Sequence, residues 1–371
     1  MWPRTTVRFM RWNNPLAVVL VCASLALAAT EASQVAFLHN HQAPLVHKNF
    51  VHKKKYVMGT VFEIVAYGES PAQVADAVEQ AFREIVRLDN VMSDYKADSA
   101  LSRLNHSSHS SAQSVPPDLY RIIGEALQYS CLSAGKFDVT VGPLVNLWKA
   151  AIRGGPTPSA AEEQKVRACV GYQKVELLPP DRVQFHSPCT QIDLGAIGKG
   201  YALDRAADVL RSHGISRALL DAGGSTIVAM GAPPGQAGWL VHLRDPSNKV
   251  DPQVMLSDSS VSTSEQTPPS LLWRESAGHI IDPDKGVPVR TPFAVSAVAH
   301  TGSASDALST TLLLVGPEKG KELVKNVAGV AAIWVSPEGQ THLVSSGPQI
   351  LLRGGEQGLT TSVQTDSGGL R

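Results

Sequence analysis

Between Ile192 and Leu210 the chain reads IDLGAIGKGYALDRAADVL, and no other stretch restricts its fold as strongly. Gly195, Gly198 and Gly200 crowd the mouth of an amphipathic run that has the spacing of a helix. Glycine at such a position lets the backbone come close to a ligand or to another segment. A helix starting there offers unpaired N–H groups and partial positive charge, which favour phosphate. Lys199 adds a mobile ammonium. The spacing fits neither a P-loop nor the dinucleotide fingerprint, so on this motif alone a purely structural turn is an equal alternative. Asp193 sharpens the question. A carboxylate beside phosphate is repulsive unless it meets a cation or a donor group of the ligand; otherwise it caps the helix or pairs with Lys199.

Around this stretch the chain reads as a mixture of helices and short strands. Val57 to Tyr67 predicts a strand. Ser70-Pro71 then opens a helix with Val74, Val78, Phe82, Ile85 and Leu88 on one face. A loop and short helix follow over Met92 to Asn105, and a helix over Pro117 to Ser133 stops at Gly135. Val139-Thr140-Val141 is β-like. Lys174 to Leu177 and Arg182 to Phe185 predict a hairpin about Pro179-Pro180-Asp181. Short β-like runs fill Arg217 to Thr263, with further strands at His279 to Asp282 and Phe293 to Ala299. Helices over Ser303 to Val315 and Pro317 to Asn326 precede a last hairpin, Ala331 to Val335 and Thr341 to Ser345. Sparse charge with plentiful Gly and Pro suits a loop-rich α/β or α+β protein.

The N-terminus has a different character. Arg4, Arg8 and Arg11 precede the apolar run Pro15 to Ala29, and Ala26-Leu27-Ala28 supplies small residues for cleavage. Residues 1–30 are therefore read as a signal peptide. A membrane anchor would need about 20 apolar residues, and this run is shorter, so no transmembrane segment is expected in the mature chain. Val21 before Cys22 is too large for a lipoprotein cleavage site. Residues 31–55, with His39, His41, His47 and His52, read as a flexible lead-in rather than a metal tract. Residues 56–353 are expected to form one folded domain, and 354–371, rich in Gly, Ser and Thr, are read as a disordered tail. Export to an oxidising compartment permits a disulfide among Cys131, Cys169 and Cys189. A fold-back about Pro179-Pro180 pairs Cys169 with Cys189. No CxxC or Cys/His cluster suggests structural zinc. A formal net charge of zero argues against a nucleic-acid partner.

Three further constellations carry chemistry. In HTGSASDALSTTLLLVG, His300 to Gly316, Asp306 and Thr310 stand four apart on one helix face. Carboxylate plus hydroxyl suit Mg2+, which retains sites for water and substrate phosphates; the alternative is a polar stripe facing solvent. In HIIDPDKGVPV, His279 heads a strand and Asp282-Pro283 makes a turn; an isolated histidine there is more often structural than catalytic. GKFDVTVGPLVNLW, Gly135 to Trp148, supplies aromatics that suggest a flavin or nucleobase near a phosphate site, although a packed Trp148 is the default reading.

Those segments, with MGTVFEIVAYG, MSDYKADSALSRLN and LLDAGGSTIVAMG, occur in one order from Met58 to Gly316. In that order they resemble the ApbE-like FAD:protein FMN transferases. The resemblance implies an α+β, T-fold-related fold, a two-lobed single catalytic domain with FAD bound between the lobes. It implies Mg2+-dependent transfer of FMN from FAD to a threonine of a target protein, releasing AMP, by an exported enzyme that is periplasmic and in some cases membrane-associated. The implied partners are flavoprotein subunits of membrane redox complexes. Met58, Tyr95, Lys136, Phe137, Asp138, Asp193 and Lys199 match FAD-contacting positions. The Ala196 carbonyl, Asp306 and Thr310 match the Mg2+ positions, and His279 with Asp306 the catalytic ones. Three departures stand out: Glu265 in STSEQ replaces a common glycine, Ser225 a common Asn or Asp, and Gly198 a common alanine. Two other activities stay open, an FAD pyrophosphatase giving FMN and AMP, and a flavin-binding protein without turnover.

Overall fold

The computed structural model describes residues 49–107, 111–153, 155–266 and 279–347. The segments read as a signal peptide, most of the lead-in and the C-terminal tail lie outside these residues. Among the described residues no helix is long and apolar enough to cross a membrane.

The chain opens with a hairpin, β1 (Phe50–Val57) and β2 (Thr60–Tyr67), joined by Met58-Gly59. Both turn residues have positive φ, 50° and 76°, the two-residue geometry whose twist matches that of the flanking strands. Residues 50–55 of the lead-in therefore belong to a sheet. Their polar composition hid this, because an edge strand is held by backbone pairing to one neighbour and needs no apolar face.

Helices α1 (Pro71–Met92), α2 (Ala100–His106), α3 (Pro117–Leu132), α4 (Gly142–Ile152), α5 (Ala160–Arg167) and α6 (Gly198–Ser212) come next. Among them lies a three-stranded sheet of β3 (Gln113–Ser114), β4 (Val175–Leu178) and β5 (Arg182–Phe185). Helix α1 starts as its sequence requires: Ser70 Oγ accepts from Gln73 N, and Pro71 follows. Then come β6 (Arg217–Ala222), β7 (Thr226–Met230), the hairpin β8 (Trp239–His242) and β9 (Gln253–Leu256), and β10 (Ser259–Glu265). The last elements are β11 (Ile281–Asp282), β12 (Val287–Pro288), β13 (Ala294–Ala299), α7 (Gly302–Asn326), β14 (Ala331–Val335) and β15 (Thr341–Ser345). Helix α7 is two helices broken at Gly316 (φ 76°) ahead of Pro317.

An antiparallel eight-stranded sheet, β1-β2-β6-β7-β10-β13-β14-β15, is the frame. Phe62, Ile64 and Leu220 bury against α1 and α6, and Val295 and Trp334 against α7. Trp239, Val254 and Leu256 of the β8–β9 hairpin join Ala229, Val261 and Ile333 in a separate core cluster. The fold is thus mixed α/β, with every pairing in the large sheet antiparallel.

Residues 139–141 are not a strand. Asp138 accepts from Thr140 N (2.8 Å), Thr140 Oγ1 (2.6 Å) and Tyr172 N (2.9 Å), winding the chain into a turn that feeds α4. A local side-chain bond of this kind outcompetes the β preference of Val and Thr.

Cys169 and Cys189 form a disulfide, with Cα atoms 5.2 Å apart, and Cys131 is free and exposed. The bridge does not arise from strand register. Val175 faces Phe185, which carries position 169 to face 191 rather than 189. Ahead of β4 the chain turns at Gly171 (φ 142°) and through a single 3-10 turn, Tyr172–Lys174, and Thr190 Oγ1 donates to the Cys169 carbonyl at 2.8 Å. For the protein lacking residues 1–30, thiol titration after unfolding without reductant should count one thiol. Replacing both cysteines of the bridge by serine should lower stability by about 3 kcal/mol for a loop of this size, read from urea unfolding. A count of three thiols contradicts the bridge.

Candidate active site

The site forms where α6 meets α7. Gly200 on α6 lies against Gly302 on α7 so closely that a methyl on Gly200 would stand 2.0 Å from the Gly302 carbonyl oxygen. That contact lets Gly200 N donate to Asp306 Oδ2 at 3.0 Å. Asp306 Oδ1 accepts from Thr226 Oγ1 (3.2 Å) and Ser262 Oγ (3.3 Å). Asp306 is 4% exposed, and these partners are all neutral donors. Strand β10 explains the hydroxyls. Its alternate serines, Ser260, Ser262 and Ser264, face α7 and meet Ser305, Asp306, Ser309 and Thr310. Period two on the strand interlocks with helical spacing on α7, and small side chains let the two backbones approach. The alternating SSVSTS of β10 was the available signal for this seam.

Asp306 and Thr310 open into a cleft of about 340 Å³. Its walls carry Tyr95, Lys136, Phe137, Asp138, Asp193, Ala196, Lys199 and His279 as well. Met58 does not line it; from the β1–β2 turn it packs on the core, its Cε 3.9 Å from where a Gly198 methyl would sit. Within the cleft the residues differ in freedom. Asp138 spends its carboxylate on the turn described above. Phe137 is buried, edge-on to Tyr129. Lys136 is ion-paired to Asp284 (2.5 Å) and Asp282 (3.6 Å). Tyr95 is 75% exposed, with Lys149 Nζ 4.6 Å from its ring centroid. Lys199 Nζ donates to the Gly195 carbonyl (3.2 Å), and Asp193 Oδ1 accepts from Gly195 N (2.8 Å). Trp148 is a packed residue whose Nε1 donates to Gly286 O at 2.8 Å.

Several contributors escaped the sequence reading. Gln266 fixes the segment that carries His279: its Oε1 accepts from Ile280 N (2.8 Å), and its Nε2 donates to Ile280 O (3.1 Å) and to Val289 O. Lys149, Arg153 and Arg244 add positive charge to the cleft wall. Glu265, at the same wall, lies 3.9 Å from Arg244. Burial, then the neighbouring Asp94, pushes the Asp193 carboxyl up. His279 is exposed, yet partial desolvation by the cleft wall, then Lys199 and Arg244, pushes it down.

Among the described residues no group of three or more His, Cys, Asp or Glu side chains could hold a metal. The donors expected at this site are the Asp306 carboxylate, the Thr310 hydroxyl and the Ala196 carbonyl, on residues that all line the cleft. That set is too poor for zinc, but it fits a hard cation that takes its remaining ligands from water and phosphate.

Residues 58–334 match the ApbE family. The chain belongs to the ApbE family. It is 30% identical over 302 residues to the FAD:protein FMN transferase of Escherichia coli (strain K12), covering 79% of this chain and 86% of that one. To the FAD:protein FMN transferase of Treponema pallidum (strain Nichols) it is 32% identical over 312 residues, 77% and 84% of the two chains. The flavin transferase ApbE from Vibrio cholerae superposes with a TM-score of 0.69 at 27% identity, covering 80% of this chain and 98% of that one. The apo form of the Pseudomonas stutzeri flavinyl transferase ApbE gives 0.71 at 27% identity, with 81% and 97% covered. ApbE homologues named as FAD:protein FMN transferases thus span most of the chain.

Proposed function

We propose that this protein transfers the FMN half of FAD to a threonine hydroxyl of a target flavoprotein, with AMP leaving and Mg2+ held at Asp306. One observation carries the reading. A buried carboxylate whose partners among the described residues are all neutral opens into a cleft whose walls hold Lys199, Lys149, Arg153 and Arg244. A diphosphate with its cation satisfies both charges. Mg2+ bound by Asp306, Thr310 and the Ala196 carbonyl would neutralise charge developing on the leaving phosphate. Lys199 and the first turn of α6 would hold the diphosphate, Asp193 would accept a hydrogen bond from the bound nucleotide, and Tyr95 would cover its ring system. In the transfer the threonine oxygen–phosphorus bond forms as the diphosphate P–O bond breaks. The hydroxyl proton goes to His279.

Mass spectrometry of a threonine-containing acceptor incubated with FAD and Mg2+ tests this. A flavin-phosphate adduct supports transfer, free FMN means a pyrophosphatase, and unchanged FAD means a binding protein. Export, and flavoprotein subunits of membrane redox complexes as acceptors, belong to the same proposal, supported by the leader-like N-terminus and the disulfide.

The base role requires a neutral imidazole. Partial desolvation in the cleft and two nearby cations disfavour the charged form of His279, which is otherwise exposed, so its pKa is shifted down from the ordinary value of about 6.5. The neutral fraction is then dominant at pH 7 and is lost only as pH falls through that lowered value. Arg244→Gln removes one cation and should raise the His279 pKa, measured by NMR titration of the ligand-free protein. An unchanged titration would remove Arg244 as a cause.

A further inference from the structure

Helix α7 has its own N-cap: Thr301 Oγ1 accepts from Ala304 N at 3.2 Å. Yet the two N–H groups of its first turn are taken by a carboxylate from another helix. Asp204, one turn beyond Gly200 on α6, accepts from Gly302 N at 2.6 Å through Oδ1 and from Ser303 N at 2.8 Å through Oδ2. Asp204 does not line the cleft; it faces a separate hollow shared with Glu125, Arg205 and Asp258. We propose that Asp204 is a positioning residue, a clamp between α6 and α7 that sets the spacing between the Ala196 carbonyl and the Asp306 carboxylate. The inference rests on the reading of those two groups as metal ligands.

The geometry leaves Asp204 little other purpose. Ala196 lies just before α6, and Asp306 one turn into α7, so any slip between the helices changes the gap between the two ligands. Gly200 and Gly302 make the approach as close as backbone allows: a methyl on Gly302 would stand 2.6 Å from the Gly200 carbonyl oxygen. That contact limits approach but does not oppose separation. The paired bonds to Asp204 do oppose it, and they are charge-assisted, at the positive end of a helix. Ionised Asp204 sits there at a cost. Burial, which the two N–H bonds only partly offset, and Glu125 beside it hold its pKa up to about 6.

The test is direct binding of Mn2+, followed by the EPR signal of the free ion, to the full protein with FAD present. Asp204→Asn should weaken Mn2+ binding about tenfold to a hundredfold, as loss of partners that orient metal ligands does elsewhere. FAD affinity measured in EDTA should stay close to wild type. Asp208→Asn removes the same charge one turn further along α6, where Asp208 pairs only with Arg205 and Arg211 among the described residues, and should leave Mn2+ binding unchanged. Asp204→Glu keeps the charge but pushes α7 away by a methylene, so it too should weaken Mn2+ binding. It serves alone should the Asn variant fail to fold. Wild-type Mn2+ affinity in a folded Asp204 variant overturns the clamp, as does an equal loss of metal-free FAD affinity, which marks general loosening. If the wild-type protein binds no Mn2+ beside FAD, the metal-site reading fails and the clamp falls with it.

Discussion

Asp306→Asn is expected to lower Mg2+-dependent transfer by about a thousandfold or more, since a metal ion supplies several kcal/mol of transition-state stabilisation. Asparagine is the informative replacement because of what surrounds the carboxylate. Removing the side chain with alanine would strand Gly200 N, Thr226 Oγ1 and Ser262 Oγ in the interior, at about 1–3 kcal/mol for each donor left unsatisfied. That would confuse a folding defect with a chemical one. Asparagine keeps the shape. Its carbonyl oxygen can face Gly200 N, and its amide can face the two hydroxyls, which rotate to accept. What disappears is the negative charge and one anionic ligand oxygen. The paired measurement is transfer rate at saturating Mg2+ beside the melting temperature. A folded Asn variant with wild-type turnover would remove Asp306 from the metal site and take the proposed mechanism with it.

The sequence showed the pieces of this site more readily than their connections. Asp306 and Thr310 were visible because helical spacing alone places them on one face. The Gly195–Gly200 turn was visible because so many glycines have few other uses. The partners of Asp306 were not, since Thr226 and Ser262 reach it only through sheet pairing between strands distant in sequence. Asp138 has a second use that the motif does not disclose. It lines the cleft, and its carboxylate also closes a turn with Thr140 and Tyr172. Strand β1 was missed because edge pairing leaves no apolar pattern. The disulfide was expected for a symmetry the hairpin does not have, and forms because Gly171 and Thr190 redirect the chain outside the strands. In each case local periodicity was readable, and what went unread was long-range pairing or a single side-chain bond that overrides propensity.

The glycine turn gives the other large effect, and it splits two glycines that look alike. Gly200→Ala is expected to destabilise the fold by at least about 3 kcal/mol, the upper end for overpacking, and to abolish metal binding. Helix propensity pulls the other way, since alanine in a helix is better than glycine by about 1 kcal/mol. The contacts decide. The new methyl would meet Gly302 O at 2.0 Å, Gly302 C at 2.3 Å and Ser303 N at 2.7 Å, all backbone atoms that cannot rotate aside. Relief to an ordinary carbon contact requires the helices to part by about 1.5 Å. That stretches the bond from Gly200 N to Asp306 and both bonds from α7 to Asp204. Gly198→Ala, two residues earlier, should instead be neutral or slightly stabilising. Its methyl would find its nearest neighbours, Leu194 Cβ and Met58 Cε, at 3.8 and 3.9 Å, which is normal packing. The pocket there has room for the alanine that the resemblance led one to expect. Urea unfolding and Mn2+ binding of the two variants side by side are the measurement. If Gly200→Ala unfolds no earlier than Gly198→Ala, the close approach of α6 to α7 is not what holds Asp306 in place.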